Sequence, residues 1–288
     1  MLRALVHELA IAARLVVRAT GRRLSGAVPP AASDREFRAT LEPWLAALPP
    51  EIVHSHAFLR IGPREPWLDT GWDLEPGDSI SLLAAGRVYF SRIADIWVGP
   101  SLRLWCRVGE GSPVFRSARD TLTFTSASAG HLALASRFPS EWTDPAGRGQ
   151  ASAPEFDRAS GDLSVLAVRW ARGTDVHSLF RRFSKEVRVP GLVLAEAQRL
   201  DQPVPTPPRW QYDWRLGASE IFRSVPAPDG RQGIDCCTHG DVGILQRDVR
   251  APLAPGTRLQ WAWRVQQIPS DLAEDTLPSH DYLSIAVE

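Results

Sequence analysis

Between residues 60 and 170 the chain repeats one pattern: short runs in which apolar and polar side chains alternate, broken by glycine or proline. The alternation is clear in Ser79–Ile80–Ser81–Leu82, in Leu102–Arg103–Leu104–Trp105, in Leu122–Thr123–Phe124 and from Leu163 through Val168. A side-chain period of two sends successive residues to opposite faces of a strand. Short strands with this punctuation, and no helix-period segment between them, predict an antiparallel β-sandwich over 60–171. They exclude a parallel α/β sheet. With the flanking segments, the expected fold is all-β with N-terminal helices: two β-sandwich (jelly-roll) units joined by a helix and a Pro-rich linker.

Residues 1–50 read as amphipathic helices. In "MLRALVHELAIAARLVVRATGRRL" the residues Arg3, His7, Arg14, Arg18 and Arg22 share one face, and Leu2, Leu5, Leu9 and Val16 the other. Two positions fit this helix: docked on its own protein, or lying on an anionic membrane surface. Charges at Glu8 and Arg14 break any apolar run long enough to span a bilayer. The run Leu9–Ala13 is too short for the core of a secretory signal. A cytoplasmic or membrane-peripheral location is therefore the default. A second helix is expected from Ser33, with Glu36 three residues on completing a capping box, to the prolines at 49–50.

Several motifs follow in order: "WLDTGWDLEPGDSISLLAAG" (67–86), Trp97–Val98–Gly99–Pro100, "LRLWCRVGEG" (102–111), "GHLALASRFPSEW" (130–142) and "SGDLSVLAVRW" (160–170). This order resembles the bacterial galactose-specific lectins of the PA-I type, over roughly residues 65–170. The resemblance implies a small jelly-roll sandwich and carbohydrate binding. It also implies calcium and sugar held by an Asp, a Thr and two Asn in the loop before the last strand. Here Arg137 or Phe138 falls on the Asp position, and the chain contains no asparagine. Calcium-bridged galactose recognition is therefore not expected to transfer, and the expected site has neither metal nor cofactor. Glu141, Asp144, Glu155, Asp157 and Asp162 offer oxygen ligands for a different cation, or are solvated loop charges.

Within that loop stands Trp142, flanked by Glu141 and Asp144 and by Pro139, Pro145 and Gly147. Two roles fit it. The indole plugs the end of the core, or it is a platform on which a pyranose stacks while the carboxylates accept hydroxyl hydrogen bonds. Trp97 is open to the same two roles, with the core favoured. The candidate ligand-binding residues are thus Trp142, Glu141, Asp144 and Trp97.

"GTDVHSLFRRFSKEV" (173–187) reads as a short helix with Thr174 as N-cap. "DQPVPTPPR" (201–209) is a stiff, extended linker with four prolines. Residues 172–209 therefore separate the sandwich from a second β unit over 210–288. In that unit Leu259, Trp261, Trp263 and Val265 alternate strictly and belong on one strand face. "PGTRLQWAWRV", Ile268–Pro269, Ala273–Glu274–Asp275 and His280–Asp281–Tyr282 resemble the uncharacterised bacterial family "domain of unknown function 3047", whose members look like single jelly rolls. Strands are too few after Trp210 to close two sheets. The unit is therefore expected to be truncated at its C-terminus, with exposed apolar surface.

Thirty-three basic and 33 acidic residues cancel, which speaks against a nucleic-acid partner. Only Lys185 is lysine and one residue is methionine, a bias typical of a GC-rich bacterial genome. Three cysteines, two of them adjacent in "DCCTH", make no disulfide framework and are read as small apolar strand residues. Hydrolysis of a glycoside needs two carboxylates; Glu274, Asp275 and Asp281, with Glu220 and Asp235, are the candidates. No glucanase, nucleophile-elbow, zincin or P-loop motif occurs. The weight falls on non-catalytic binding of a glycan. The alternatives are a structural or envelope interaction protein and a carbohydrate-active hydrolase.

Overall fold

A computed structural model describes residues 17, 20–21, 32–65, 67–149, 158–183, 185, 189–227, 230–238, 242–252, 254–267 and 284–285. The expected N-terminal helix over residues 1–24 lies almost wholly outside them, and with it the proposed membrane-surface contact. No helix among the described residues is long and apolar enough to cross a membrane.

The strands are β1 (Val53–Ile61), β2 (Leu68–Leu74), β3 (Ser79–Gly86), β4 (Val88–Ser91), β5 (Ile96–Val98), β6 (Leu104–Val108), β7 (Thr121–Thr125), β8 (Gly130–Ser136) and β9 (Leu163–Trp170). They form one sheet in the order β1-β9-β3-β7, a second in the order β2-β8-β6, and a β4–β5 hairpin. Every pairing is antiparallel. The sheets face each other across a core of Ile80, Leu82 and Ala84 from β3, Leu163, Val165 and Ala167 from β9, Leu104, Cys106 and Val108 from β6, and Leu132 and Leu134 from β8. Those are alternate residues of each strand, as the period of two requires.

The opposite faces are covered as well. Leu166, Val168 and Trp170 of β9 lie under α1 (Asp34–Ala46), α3 (Val176–Phe183) and α4 (Gly191–Asp201); α2 (Pro100–Arg103) is a single turn leading into β6. Phe37, Leu41, Trp44 and Leu45 of α1, and Val176, Leu179, Phe180 and Phe183 of α3, make this second core. The expected capping box starts α1: the Glu36 amide donates to Ser33 Oγ at 3.3 Å, and the Ser33 amide donates to Glu36 Oε2 at 2.7 Å. Helix α3 is capped by Asp175 rather than Thr174, its Oδ1 accepting from the Ser178 amide at 3.0 Å. The alternation expected from Leu163 through Val168 does not hold: β9 is nearly all apolar there, because both of its faces are buried.

The Pro76–Gly77 turn presents Asp78 to two arginines. Its carboxylate accepts from the Glu75 amide at 2.8 Å, Arg169 Nη2 at 2.6 Å and Arg172 Nε at 3.0 Å, while itself buried. Burial alone would raise this carboxyl; the Glu75 amide and the two guanidiniums outweigh it and hold it below the usual carboxylate range. A depressed folded pKa contributes stability above the unfolded value of about 3.9, and that stability is lost as pH falls through the folded value. Asp78→Asn should therefore destabilise the protein near neutral pH, with the gap to wild type narrowing below about pH 4. Urea unfolding at several pH values measures this, and a pH-independent gap would contradict it.

After α4 the chain runs through 202–208, where Pro203, Pro205 and Pro208 are exposed and Pro207 is buried, and returns to the sandwich. Trp214 joins Trp105 across 6.2 Å, Arg116 Nη1 donates to the Arg215 carbonyl at 3.1 Å, and Ser117 bridges Ala218. Two small antiparallel pairs follow. One joins β10 (Gln211–Tyr212) to β13 (Leu245–Gln246), the other β11 (Phe222–Pro226) to β12 (Gln232–Cys236). An all-β fold with helices is what forms. The strand expected at 259–265, however, is not paired among the described residues: Trp261 and Trp263 are each 54% exposed, with Leu259 and Val265 beside them. Alternation sets which side chains would share a face, but a strand also needs a neighbour to complete its ladder.

Candidate functional site

The loop after β8 is built inward. Arg137 and Phe138 lead into a tight turn, Pro139–Glu141, that delivers Trp142 against the outer face of the β2-β8-β6 sheet. The Trp142 ring is 4% exposed, stacked on Trp67 at 5.3 Å and edge-on to Trp105 at 5.7 Å. Val114 and Ala135 complete the cluster, and Trp105 Nε1 donates to the Arg137 carbonyl at 3.0 Å. This corrects the platform role considered for Trp142. The outer face of β6 and β8 is apolar at Trp105 and Ala135, and burying the indole there covers it. The neighbouring carboxylates are likewise turned to structural work. Glu141 is buried, accepting from the Phe138 amide at 2.6 Å and from Arg137 Nη1 at 3.1 Å. Asp144 accepts from the Ala146 amide at 2.9 Å and pairs with Arg148.

The buried Arg103 guanidinium lies over the Phe138 ring at 4.1 Å and donates to the Ser136 carbonyl at 2.7 Å, with Glu141 at 4.0 Å. Desolvation lowers the Arg103 pKa to about 10, still well above neutrality, so it stays charged. Of the five loop carboxylates, Asp162 pairs with Arg60, and Glu155 and Asp157 lie outside the described residues. No group of three potential metal ligands occurs among the described residues.

Trp97 is placed differently. Tyr89 and Trp97 are cross-strand partners in the β4–β5 hairpin, and both are only half-buried. The Arg87 guanidinium lies 4.0 Å from the centroid of Trp97, and that of Arg92 lies 4.6 Å from the centroid of Tyr89. Ile93 in the turn is largely exposed. The hairpin is anchored to the segment before β9. Tyr89 and Ser160 exchange backbone hydrogen bonds at 2.8 and 3.1 Å, and Arg92 Nε donates to Ser160 Oγ at 3.3 Å. Gly86 and Gly161 make this approach possible. Both have positive φ, and a Cβ on either would strike the backbone carbonyl of Asp162 or Arg87, respectively. Phe90, on the same hairpin, packs on Phe138 at 4.6 Å. The result is two aromatic rings on one hairpin face, each with an arginine laid over it. Sequence reading found Trp97 but not Tyr89, Arg87 or Arg92; the signal available was the aromatic spacing across a short turn, 89 to 97.

The remaining candidates scatter. Glu220 sits between Arg199, 3.0 Å away, and Arg119, 3.5 Å away; Asp235 is exposed on β12; Glu274, Asp275 and Asp281 lie outside the described residues. Cys236 and Cys237 are exposed, not packed as apolar strand residues, whereas Cys106 is in the core, where burial pushes its thiol pKa up. An open cleft of about 380 Å³ lies where β9 meets α3, lined by Glu51, Arg172, Asp175 and Arg182 among others. Two of its polar groups are already engaged, Arg172 with Asp78 and Asp175 in its cap.

A small antiparallel sandwich that carries a half-buried aromatic pair on a hairpin is the class of protein that fold and site define. The family model of DUF3047, a family of unknown function, matches residues 216–288, within the stretch whose sequence resembles that family. A solved chain described as the EclA N-terminal domain, a PllA-like lectin, is similar over 39% of this chain and 94% of its own, at 15% identity and a TM-score of 0.30. No curated protein matches the chain.

Proposed function

We propose that the protein binds a saccharide, without chemical turnover, on the β4–β5 hairpin. The observation that carries this reading is the half-buried Tyr89–Trp97 pair, presented on one face of a hairpin that is itself pinned to the sandwich. The apolar C–H face of a pyranose stacks on an aromatic ring, and a ring held in place loses little freedom on binding. The order of motifs over 65–170 supports the same class of ligand. Arg87 and Arg92 pack on the two rings and help to hold them in place.

A glycan array with the full chain identifies binders, and titration calorimetry with the best of them tests the site. Tyr89→Ala should weaken binding by about tenfold or more, equivalent to ~1.4 kcal/mol, with little change in melting temperature. Undiminished binding by Tyr89→Ala would move the site elsewhere. Release of shorter sugars from any ligand would show that the protein is a hydrolase.

A further inference from the structure

We propose that a hydroxyl of the saccharide bound at this hairpin enters a notch at Gly99 and donates a hydrogen bond to the Asp120 carboxylate, which makes Asp120 the residue that orients the sugar. The inference rests on the saccharide reading and adds what the site requires of its ligand: a free hydroxyl on the edge of the ring. Gly99 lies two residues beyond Trp97, where β5 has just ended. Its backbone is extended, with φ −99° and ψ −172°, so positions 97 and 99 point to the same face of the chain. Those angles are open to any residue, and glycine is not needed for them. Nor is it needed for space. Among the described residues, a Cβ on Gly99 would meet first Asp120 Oδ1 at 3.6 Å, then the Gly86 carbonyl oxygen at 3.9 Å and Cζ3 of the Trp97 ring at 4.0 Å. These are ordinary contact distances. The absent side chain leaves a notch the size of a methyl or hydroxyl group, between an indole edge and a carboxylate.

The polar atoms that border the notch, Asp120 Oδ1 and the Gly86 carbonyl oxygen, are both acceptors. Gly99 is half-buried and Asp120 exposed, so a ligand reaches them. Asp120 accepts from the Ser101 amide at 2.9 Å, with the Ser101 hydroxyl as a second donor. A carboxylate offers about four lone-pair positions, so acceptor capacity remains. The protein packed around Asp120 raises its carboxyl pKa above the usual range, and the Ser101 bonds work against that rise. A further donor from a ligand works the same way. A hydroxyl oxygen in the notch needs a small shift toward Asp120 to reach the O–H···O distance of about 2.7 Å. Bonds to an ionised acceptor are stronger than those between neutral groups. Stacking on Trp97 selects a sugar face but leaves the sugar free to turn on the ring. The bond to Asp120 fixes its orientation.

The test uses the full-length chain and methyl glycosides of neutral hexoses, each beside its monodeoxy and mono-O-methyl derivatives, titrated by calorimetry. In the expected result one ring position stands out: removing or methylating that hydroxyl weakens binding about tenfold or more. Asp120→Asn should bind the parent glycoside and that deoxy derivative with nearly equal affinity, because the hydroxyl has lost its charged acceptor. Gly99→Ala should melt like wild type, since alanine fits there, and bind the parent about tenfold or more weakly by filling the notch. This second variant breaks no hydrogen bond, so it decides the matter if Asp120→Asn melts early. An Asp120→Asn protein that loses the same factor for parent and deoxy derivative would show a merely structural role and overturn the assignment. Wild-type affinity in Gly99→Ala, with Trp97→Ala impaired, would also overturn it and leave the saccharide reading standing. Binding of none of the glycosides would overturn both.

Discussion

Trp105→Ala lowers the stability of the protein by about 3–5 kcal/mol, the range for a fully buried large aromatic replaced by alanine. Trp105 has no exposed surface and touches Trp142 and Trp214 with its ring edges and faces. Its indole N–H is satisfied by the Arg137 carbonyl. Removing it opens a cavity between three elements that cannot close on one another: the β6 strand, the loop after β8 and the segment around 214. The Arg137 carbonyl also loses its donor. Because Trp142 shares the same contact, Trp105→Ala/Trp142→Ala should fall short of the sum of the single losses. Urea unfolding measures both quantities. A loss under about 1 kcal/mol would show that the cluster is loosely packed.

Arg199→Met is the second large effect. Glu196 of α4 is wholly buried; it accepts from Thr121 Oγ1 at 2.6 Å and from Arg199 Nη2 at 2.7 Å. Arg199 Nη1 also donates to Glu220 at 3.0 Å and Nη2 to the Thr123 carbonyl at 3.5 Å, so one guanidinium joins α4, the edge strand β7 and the segment leading to β11. Burial pushes the Glu196 carboxyl up; hydrogen bonding and charge from Arg199 outweigh it and hold the group ionised. Without Arg199 a buried carboxylate is left without its cation, which destabilises by about 3–5 kcal/mol. Burial then dominates and raises the Glu196 pKa in the folded variant. A raised carboxylate pKa favours the folded state at low pH, so the deficit of Arg199→Met should shrink on acidification. Glu196→Gln/Arg199→Met should recover much of the loss, since it removes both charges together. A double variant as unstable as the sum of the singles would show that the pair is not coupled.

The alternation over 79–82 and 122–124 was enough to place two sandwich strands, because period two is a direct consequence of strand geometry; over 102–105 it ran ahead of the structure, where Leu102 and Arg103 lie in the α2 turn and β6 starts at Leu104. Ser33 and Glu36 announced the start of α1 for an equally local reason. Contacts distant in sequence were less legible. Nothing local marks the far face of β9 as buried until α1, α3 and α4 are known to lie on it. Helix α4 itself was missed, although Val193, Ala197 and Leu200 recur at helical spacing; its brevity and the prolines beyond it mask the pattern. Trp142 could not be assigned, since a loop indole between carboxylates looks the same whether Trp67 and Trp105 meet it or solvent does. The candidate site followed the same rule. Trp97 was visible as an aromatic in a turn-rich stretch, but its pairing with Tyr89 comes from strand register, and the arginines from three-dimensional stacking. At Trp261 and Trp263 the local pattern pointed to a strand that lacks a neighbour among the described residues.

The central claim is that recognition belongs to the hairpin and stability to the buried tryptophan cluster. Trp97→Ala and Trp142→Phe separate the two, with each variant measured by calorimetric titration against an array-selected saccharide and by thermal melting. The account predicts that Trp97→Ala weakens binding about tenfold or more and melts like wild type, while Trp142→Phe melts several degrees lower and binds with unchanged affinity. Loss of binding by Trp142→Phe at an unchanged melting temperature, with Trp97→Ala binding normally, would contradict it.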